Sequence, residues 1–324
     1  MVTAARPPDS ITLEDVEAAR ERIAGVVPRS PIIRLEDAGP PELYLKLECL
    51  QPVRSFKLRG AYSAISAMTE EDLAQGVYTA SAGNMAQGVA WSARRRGVPC
   101  TVVVPDNAPQ MKLDGIRRLG AEIVVLPYDE WWDVLATHRF APLEPARFIH
   151  PVSDVAVMAG NGTIGLEILE DVPDVNTVLV PFGGGGLSCG IAAAIRAKRP
   201  GVRVAGCEVE TAAPFAAALA AGRPVETPRT ATFVDGIGAR IMLEEMWAPA
   251  SRLLAGSLVV SLADVAEAIR LLVERAAVVA EGAAGAAMAA ALTHGQALGR
   301  TVCVVSGGNI DPRVLARILE GEVP

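Results

Sequence analysis

The chain lacks the marks of several common protein classes. It has only three histidines, His138, His150 and His294, spaced too widely in sequence to form a recognisable histidine-rich metal motif. Its five cysteines include no C-x-x-C pair, and four of them fall in apolar runs that read as strands or helix faces. That pattern predicts reduced core thiols, with neither a disulfide frame nor a metal cluster. No long block of one charge sign occurs: 30 basic and 37 acidic residues are interspersed and leave a net charge of −7. A nucleic-acid surface and a polybasic membrane anchor are therefore not expected, which leaves small molecules or further copies of the chain as partners. The most apolar late segment, "AAVVAEGAAGAAMAAAL", is interrupted by Glu281, and the opening "MVTAARPPDS" has no apolar stretch of signal-peptide type. No membrane span or export signal is expected, and the cytoplasm is the expected location.

What is present is a large apolar content, 51% of 324 residues, enough for a sizeable core and roughly two domains. Thr12, with Asp15 three positions later, reads as the cap of a first helix. From there strand-like and helix-like runs alternate. "LYLKLE" precedes "FKLRGAYSAISAM", "GVYTAS" precedes "MAQGVAWSARRRG", "PCTVVVP" precedes "PQMKLDGIRRLG", and "AEIVVLP" precedes "DEWWDVLATHRF". Later, "TVLVPFGGGG" leads into "LSCGIAAAIRAKR", "VRVAGCEVE" into "APFAAALAAG", and "RTVCVVSGGN" into "DPRVLARILE". Strands this apolar, each returning through a helix, predict parallel sheets covered on both faces and two α/β units. The longest irregular stretch is "GRPVETPRTATFVDGIG", and long loops in such proteins commonly carry function.

Four short stretches carry chemistry. Gly183 to Gly186 follow a strand and open a helix, where backbone N–H groups and the positive helix end suit a phosphate. The same run lacks G-x-G-x-x-G and the Lys-Ser/Thr ending of a nucleotide loop; Glu208 is only a loose match to a ribose-binding acid. In "TASAGNMAQGVA", Ser81 and Asn84 flank Gly83 at a helix start, a site for a carboxylate or simply a helix cap. Ser306, in "VVSGGNI", could present a hydroxyl to a ring nitrogen, although Ser-Gly-Gly-Asn is also ordinary turn chemistry. In "QPVRSFKLRGAY", Lys57 sits behind a serine and an aromatic residue where a helix begins. A lysine, a phosphate cradle, a carboxylate cradle and a ring-nitrogen partner are together what pyridoxal phosphate and a bound amino acid require. A nucleotide-binding oxidoreductase and a non-catalytic amino-acid-binding module remain the contrasting readings.

With "SFKLRGA", "SAGNMAQG", "GGGGL" and "SGGN" in this order, nearly the whole chain resembles the fold-type II pyridoxal-phosphate enzymes, in the threonine/serine dehydratase (ammonia-lyase) and serine racemase branch. The resemblance implies a tryptophan synthase β-like fold of two three-layer α/β/α domains with mainly parallel sheets. A large cofactor domain would comprise residues 1–69 and 146–324, and a small substrate-closing domain residues 70–145. It implies Lys57 as Schiff-base lysine and α-proton base, with Phe56 beside the cofactor and Asn84 on the ring hydroxyl. Ser81, Ala82, Gly83, Asn84 and Met85 would surround the substrate carboxylate. Gly183, Gly184, Gly185, Gly186 and Leu187 would hold phosphate, Ser306 would face the pyridine nitrogen, and Gly236 and Glu281 would line the pocket.

The implied reaction is α,β-elimination from a β-hydroxy amino acid such as threonine or serine, yielding a 2-oxo acid and ammonia, in a homodimer. The alternative is a racemase, or a lyase for a bulkier or modified hydroxy amino acid. Ala82 stands where racemases of this branch carry a serine acid/base, and no aspartate follows Lys57 as in cysteine-synthase-like members, so both departures point toward elimination. Met85 replaces the usual histidine, and Trp131 and Trp132 fall where the branch builds part of its substrate lid; packing is the first reading of both tryptophans, and a pocket for a bulkier or more apolar β-hydroxy amino acid is the alternative. Pro214 replaces an acidic ligand near Glu208, so no divalent metal site of the family type is expected.

Overall fold

The computed structural model describes residues 6–36, 42–108 and 110–324. Thr12 and Asp15 exchange hydrogen bonds in a capping box at the start of helix Leu13–Ile23, which satisfies donors that a helix start otherwise leaves open. The strands, in chain order, are β1 (Ile32–Leu35), β2 (Leu43–Leu47), β3 (Val77–Ala80), β4 (Cys100–Pro105), β5 (Glu122–Leu126), β6 (Arg147–Phe148), β7 (Thr177–Pro181), β8 (Arg203–Val209), β9 (Ser257–Val260) and β10 (Thr301–Val305). They form two sheets, ordered β1-β2-β10-β7-β8-β9 and β5-β4-β3-β6. The smaller sheet uses residues 77–148 and the larger uses the chain on either side.

Every strand pair is parallel except β1 with β2. In the larger sheet β7 and β10 are buried along their full length. Helices cover both faces of such strands, which is why they read as continuous apolar runs. The α/β class with mainly parallel sheets expected from the sequence is the one that forms. The antiparallel edge strand β1 is an addition that the apolar runs did not announce. Among the described residues no helix is long and apolar enough to cross a membrane.

The element that fixes the site is helix Val155–Asp171, which the alternation of runs did not single out. It is buried on nearly all sides, capped by the Asp154 carboxylate on the N–H groups of Ala156 and Val157. A helix apolar all round shows no stripe to read. It lies between the helices Lys57–Ser66 and Gly186–Lys198 and approaches each through glycine. A Cβ on Gly160 would strike the Arg59 carbonyl, and one on Gly190 would strike the Met158 carbonyl. These two helices carry Lys57 and the glycine run, so one buried helix sets the spacing between the lysine and the phosphate cradle.

Below Lys57 lies a buried ion cluster. Arg59 bonds Glu48 at 2.8 Å and Glu167 at 2.7 Å, and Lys46 bonds Glu167 at 2.5 Å. Two cations and two anions balance there, and each guanidinium hydrogen bond satisfies a group that burial would otherwise strand. Glu48 and Glu167 hold the Arg59 guanidinium pKa above its ordinary value despite burial. The cluster locks the first turn of Lys57–Ser66 to β2 and to the central helix.

Candidate active site

In parallel sheets, ligands bind beyond the carboxyl ends of the strands. Four loops meet there: the turn before Lys57 follows β2, Ser81 follows β3, the glycine run follows β7 and Ser306 follows β10. Ser55 bridges Gly307, the Phe56 N–H donates to the Ser306 carbonyl at 3.0 Å, and the Gly308 N–H donates to the Arg54 carbonyl at 2.9 Å. Backbone pairing thus places Lys57 beside Ser306 before any ligand is considered.

One cavity of about 610 Å³ opens at this meeting point. Phe56, Lys57, Ser81, Ala82, Gly83, Asn84 and Met85 line it, as do Gly183, Gly184, Gly185, Gly186, Leu187, Gly236, Glu281 and Ser306. Lys57 is partly buried in its wall, with Nζ donating to the Pro151 carbonyl at 2.6 Å and 5.2 Å from the centre of the Phe56 ring. Burial, partly opposed by Glu281, pushes its pKa down to about 8. An amine held near neutrality inside a cavity is a nucleophile or base in waiting.

Asn84 Nδ2 donates to Glu281 at 2.8 Å, and Asn309 Nδ2 donates to Asn84 Oδ1 at 2.8 Å and to the Val53 carbonyl at 2.9 Å. The Glu281 N–H reaches the Gly307 carbonyl at 3.0 Å. Four distant segments are therefore joined through side-chain amides whose orientation this chain of bonds defines. Burial raises the Glu281 pKa to about 7, while the Asn84 bond opposes the rise. Asn309 escaped the sequence reading because its motif suggested only a turn, and the signal for it was its place two glycines beyond Ser306.

The glycine run has two separate reasons to be glycine. Gly185 has φ +94°, and a Cβ on Gly184 would lie 2.7 Å from Val152. These are demands of the fold. What the fold does not explain is that helix Gly186–Lys198 starts with no side-chain cap and with its N-terminus in the cavity. Open N–H groups at a helix start are an anion site. A cavity-lining amine, an uncapped helix start and a buried hydroxyl at Ser306 suit an aldehyde, a phosphate and a pyridine nitrogen, so the residues present fit pyridoxal phosphate.

On the substrate side, Ser81 Oγ accepts from the Gly83 N–H at 3.2 Å, and helix Asn84–Arg96 also begins without a side-chain cap. Met85 turns its side chain into the core with Ala61, Ile65 and Val89, so only its backbone can face a ligand. Trp131 and Trp132 do both things considered for them: they pack on the core of the smaller sheet and they line the cavity.

Glu208 lies outside the cavity. Its carboxylate accepts from the Phe215 and Ala216 N–H groups at 2.9 and 2.8 Å and from Ser257 Oγ at 2.6 Å. Buried and engaged in this way, it offers nothing to a ribose, and the nucleotide reading loses its acid.

Two of the widely spaced histidines meet on folding: His138 and His150 come together beside Glu245 with possible ligand atoms within 4.8 Å of one another. Their rings stack, with centres 4.3 Å apart and planes at 22°, and His138 Nε2 is 3.2 Å from Glu245. His150 Nδ1 accepts from the Val152 and Ser153 N–H groups, which puts the ring proton on Nε2. With the His150 lone pair already taken by backbone N–H groups, the trio reads as a structural tie between the two sheets. Burial drives the His150 pKa down to about 3.

The sequence profile described as "Pyridoxal-phosphate dependent enzyme" matches residues 23–307. The chain is 40% identical over 315 residues to the L-threonine ammonia-lyase of Thermotoga maritima, covering 95% of this chain and 78% of that one. It is 34% identical over 320 residues to a catabolic L-threonine dehydratase of Staphylococcus aureus, covering 96% and 92%. Among solved structures, maize serine racemase superposes with a TM-score of 0.88 at 31% identity, over 96% of this chain and 98% of that one.

Proposed function

Because the chain belongs to the pyridoxal-phosphate dependent enzyme family, matched over residues 23–307, we propose that it eliminates water from a β-hydroxy amino acid such as L-threonine or L-serine. The products are a 2-oxo acid and ammonia. The protein is a pyridoxal-phosphate dependent lyase of the threonine ammonia-lyase type. The observation that carries the residue assignment is the buried Lys57 amine, lowered to about 8, in the same cavity as an uncapped helix start.

Lys57 would hold the cofactor aldehyde until the substrate amine takes its place and frees Nζ, the N–H groups of Gly183 to Leu187 would hold its phosphate, and Ser306 would face its ring nitrogen. Asn84, oriented by Asn309 and Glu281, would meet the ring hydroxyl. Bound there, pyridoxal phosphate supplies the electron sink for the pair of electrons left when the α-proton departs. Ser81 and the amides of Gly83, Asn84 and Met85 hold the substrate carboxylate. Lys57 Nζ takes the α-proton, which a lysine of ordinary pKa would be too fully charged to do near neutral pH. The Cβ–O bond breaks, the hydroxyl leaves with a proton as water, and the released enamine tautomerises and hydrolyses to the 2-oxo acid and ammonia. At Ala82, a methyl group stands where racemisation would need a second acid/base, so the abstracted proton has no route back from that side.

The protein works as a homodimer, which sedimentation velocity tests directly. For the reaction, purified protein should carry a visible chromophore that borohydride erases and that Lys57→Ala lacks. It should form keto acid and ammonia in equal amounts from L-threonine or L-serine. Maize serine racemase as a structural neighbour makes the stereochemical readout decisive. D-serine accumulating as fast as keto acid would overturn elimination as the main activity, and a colourless protein that takes up no cofactor would overturn the assignment of Lys57.

A further inference from the structure

Beyond the carboxylate cradle the cavity is walled by apolar groups that a threonine methyl could not use. One wall is the first turns of helix Tyr128–Thr137, where Tyr128, Trp131 and Trp132 face the cavity and touch one another, with ring centres 5.6 and 6.3 Å apart. The other is supplied by Ile237, Ile241 and Leu243 from the irregular segment 223–243. All but Tyr128 are partly buried and Tyr128 is exposed, so each keeps apolar surface uncovered in the cleft. The walls are tied at one end, because His138, just past the first helix, bonds Glu245, two residues beyond Leu243.

The charged groups at the mouth are already engaged. Lys112 pairs with Asp235 at 2.6 Å, Arg240 pairs with Glu226 at 3.3 Å, and Arg229 Nε donates to the Gly238 carbonyl at 2.9 Å. Asp129 stays exposed in the first turn of its helix, where the positive end of the helix dipole accommodates it. Of these groups Arg229, bonded to a neutral carbonyl, and Asp129 keep their charges, one of each sign, and the other two pairs compensate each other. An apolar cleft walled by aromatic faces is the surface of a ligand subsite.

We propose that the preferred substrate is a β-hydroxy amino acid carrying an aryl or similarly extended apolar group on its β-carbon, held between the Tyr128/Trp131/Trp132 face and the Ile237/Ile241/Leu243 face. This rests on the elimination reading above and names the side chain that it leaves open. Aromatic faces bind such a group by stacking and by excluding water, and they discriminate poorly in favour of a methyl.

The test measures kcat/KM of the holoenzyme for L-threonine and for both diastereomers of phenylserine. The expected result is a phenylserine-to-threonine ratio of about ten or more, falling at least about tenfold in Trp132→Ala and in Leu243→Ser, chiefly through KM. Trp132 and Leu243 each also pack on a core, so the thermal midpoint of both variants is measured beside the kinetics, and a ratio that falls while the midpoint holds assigns the loss to the subsite. Titration with L-phenylalanine, which has no β-hydroxyl to lose, should quench tryptophan fluorescence saturably in wild type and weakly in Trp132→Ala. Threonine turnover at least tenfold above phenylserine, with a ratio that neither variant moves, overturns the proposal and leaves the elimination reading intact. No keto acid from any of these amino acids overturns both.

Discussion

Lys57 is the residue at which the physical chemistry is sharpest. An ordinary lysine titrates near 10.4, whereas burial brings this one to about 8. Its neutral form is the one that reacts with an aldehyde, so capture of pyridoxal phosphate by the apoprotein should accelerate with pH and level off just above pH 8. Growth of the visible chromophore at fixed cofactor concentration reads this, and a rate still climbing about tenfold per pH unit at pH 9 would show Lys57 to be an ordinary lysine. Folding disfavours the charged amine, so between about 8 and the unfolded value the unfolded chain holds more proton than the native one. Apoprotein stability therefore gains from this group as pH rises through that window, and the penalty is complete below it.

At this scale the sequence was informative about identity and poor about orientation. Lys57, Asn84 and Ser306 could be found from their motifs, but Asn309 orienting Asn84, and the Pro151 carbonyl receiving the Lys57 amine, are contacts across 225 and 94 positions that no local pattern encodes.

At the scale of elements, alternation of apolar runs was enough to find β2, β7, β10 and the helices after them, because each buried strand is short and bounded by turn residues. The central helix Val155–Asp171 was not legible for the opposite reason: buried nearly all round, it has no polar face to set a period. Its glycines are where a prediction belongs. In an exposed helix interior, Gly→Ala usually gains about 1 kcal/mol. At Gly160 the added methyl would strike the Arg59 carbonyl and come within 2.7 Å of Ser63 Cβ, so backbone would have to move. Gly160→Ala should instead lose about 1–3 kcal/mol, typical of overpacking, seen as a lower midpoint in urea. It should also weaken cofactor affinity, since the helix displaced is the one that carries Lys57. A midpoint that rises would mean that the two helices are not in backbone contact.

At the scale of the molecule, the cavity lies between two sheets joined by few covalent connections, and an ion pair and a histidine–carboxylate hydrogen bond reach across it. Lys112, on helix Gln110–Arg118 of the smaller unit, holds Asp235 of the larger one at 2.6 Å, and His138 holds Glu245 at 3.2 Å. Neither pair is buried, and exposed pairs contribute only about 0–1 kcal/mol to stability. That is too little to affect unfolding noticeably, yet it is enough to shift an open–closed equilibrium severalfold, because the same energy acts on a far smaller free-energy gap. The ionic contacts also weaken with salt, whereas the buried cluster around Arg59 is shielded from it.

Lys112→Gln should therefore raise KM about two- to fivefold while leaving the thermal midpoint nearly unchanged. In wild type, raising ionic strength from about 0.05 to 0.5 M should raise KM in the same direction, and the variant should show a smaller salt response because its Lys112–Asp235 pair is already gone. If wild-type KM is indifferent to salt, or if Lys112→Gln responds as steeply as wild type, then the Lys112–Asp235 pair does not hold the cleft. Closure would then rest on the uncharged contacts that also cross it, among them Asn84 with Glu281 and Asn309.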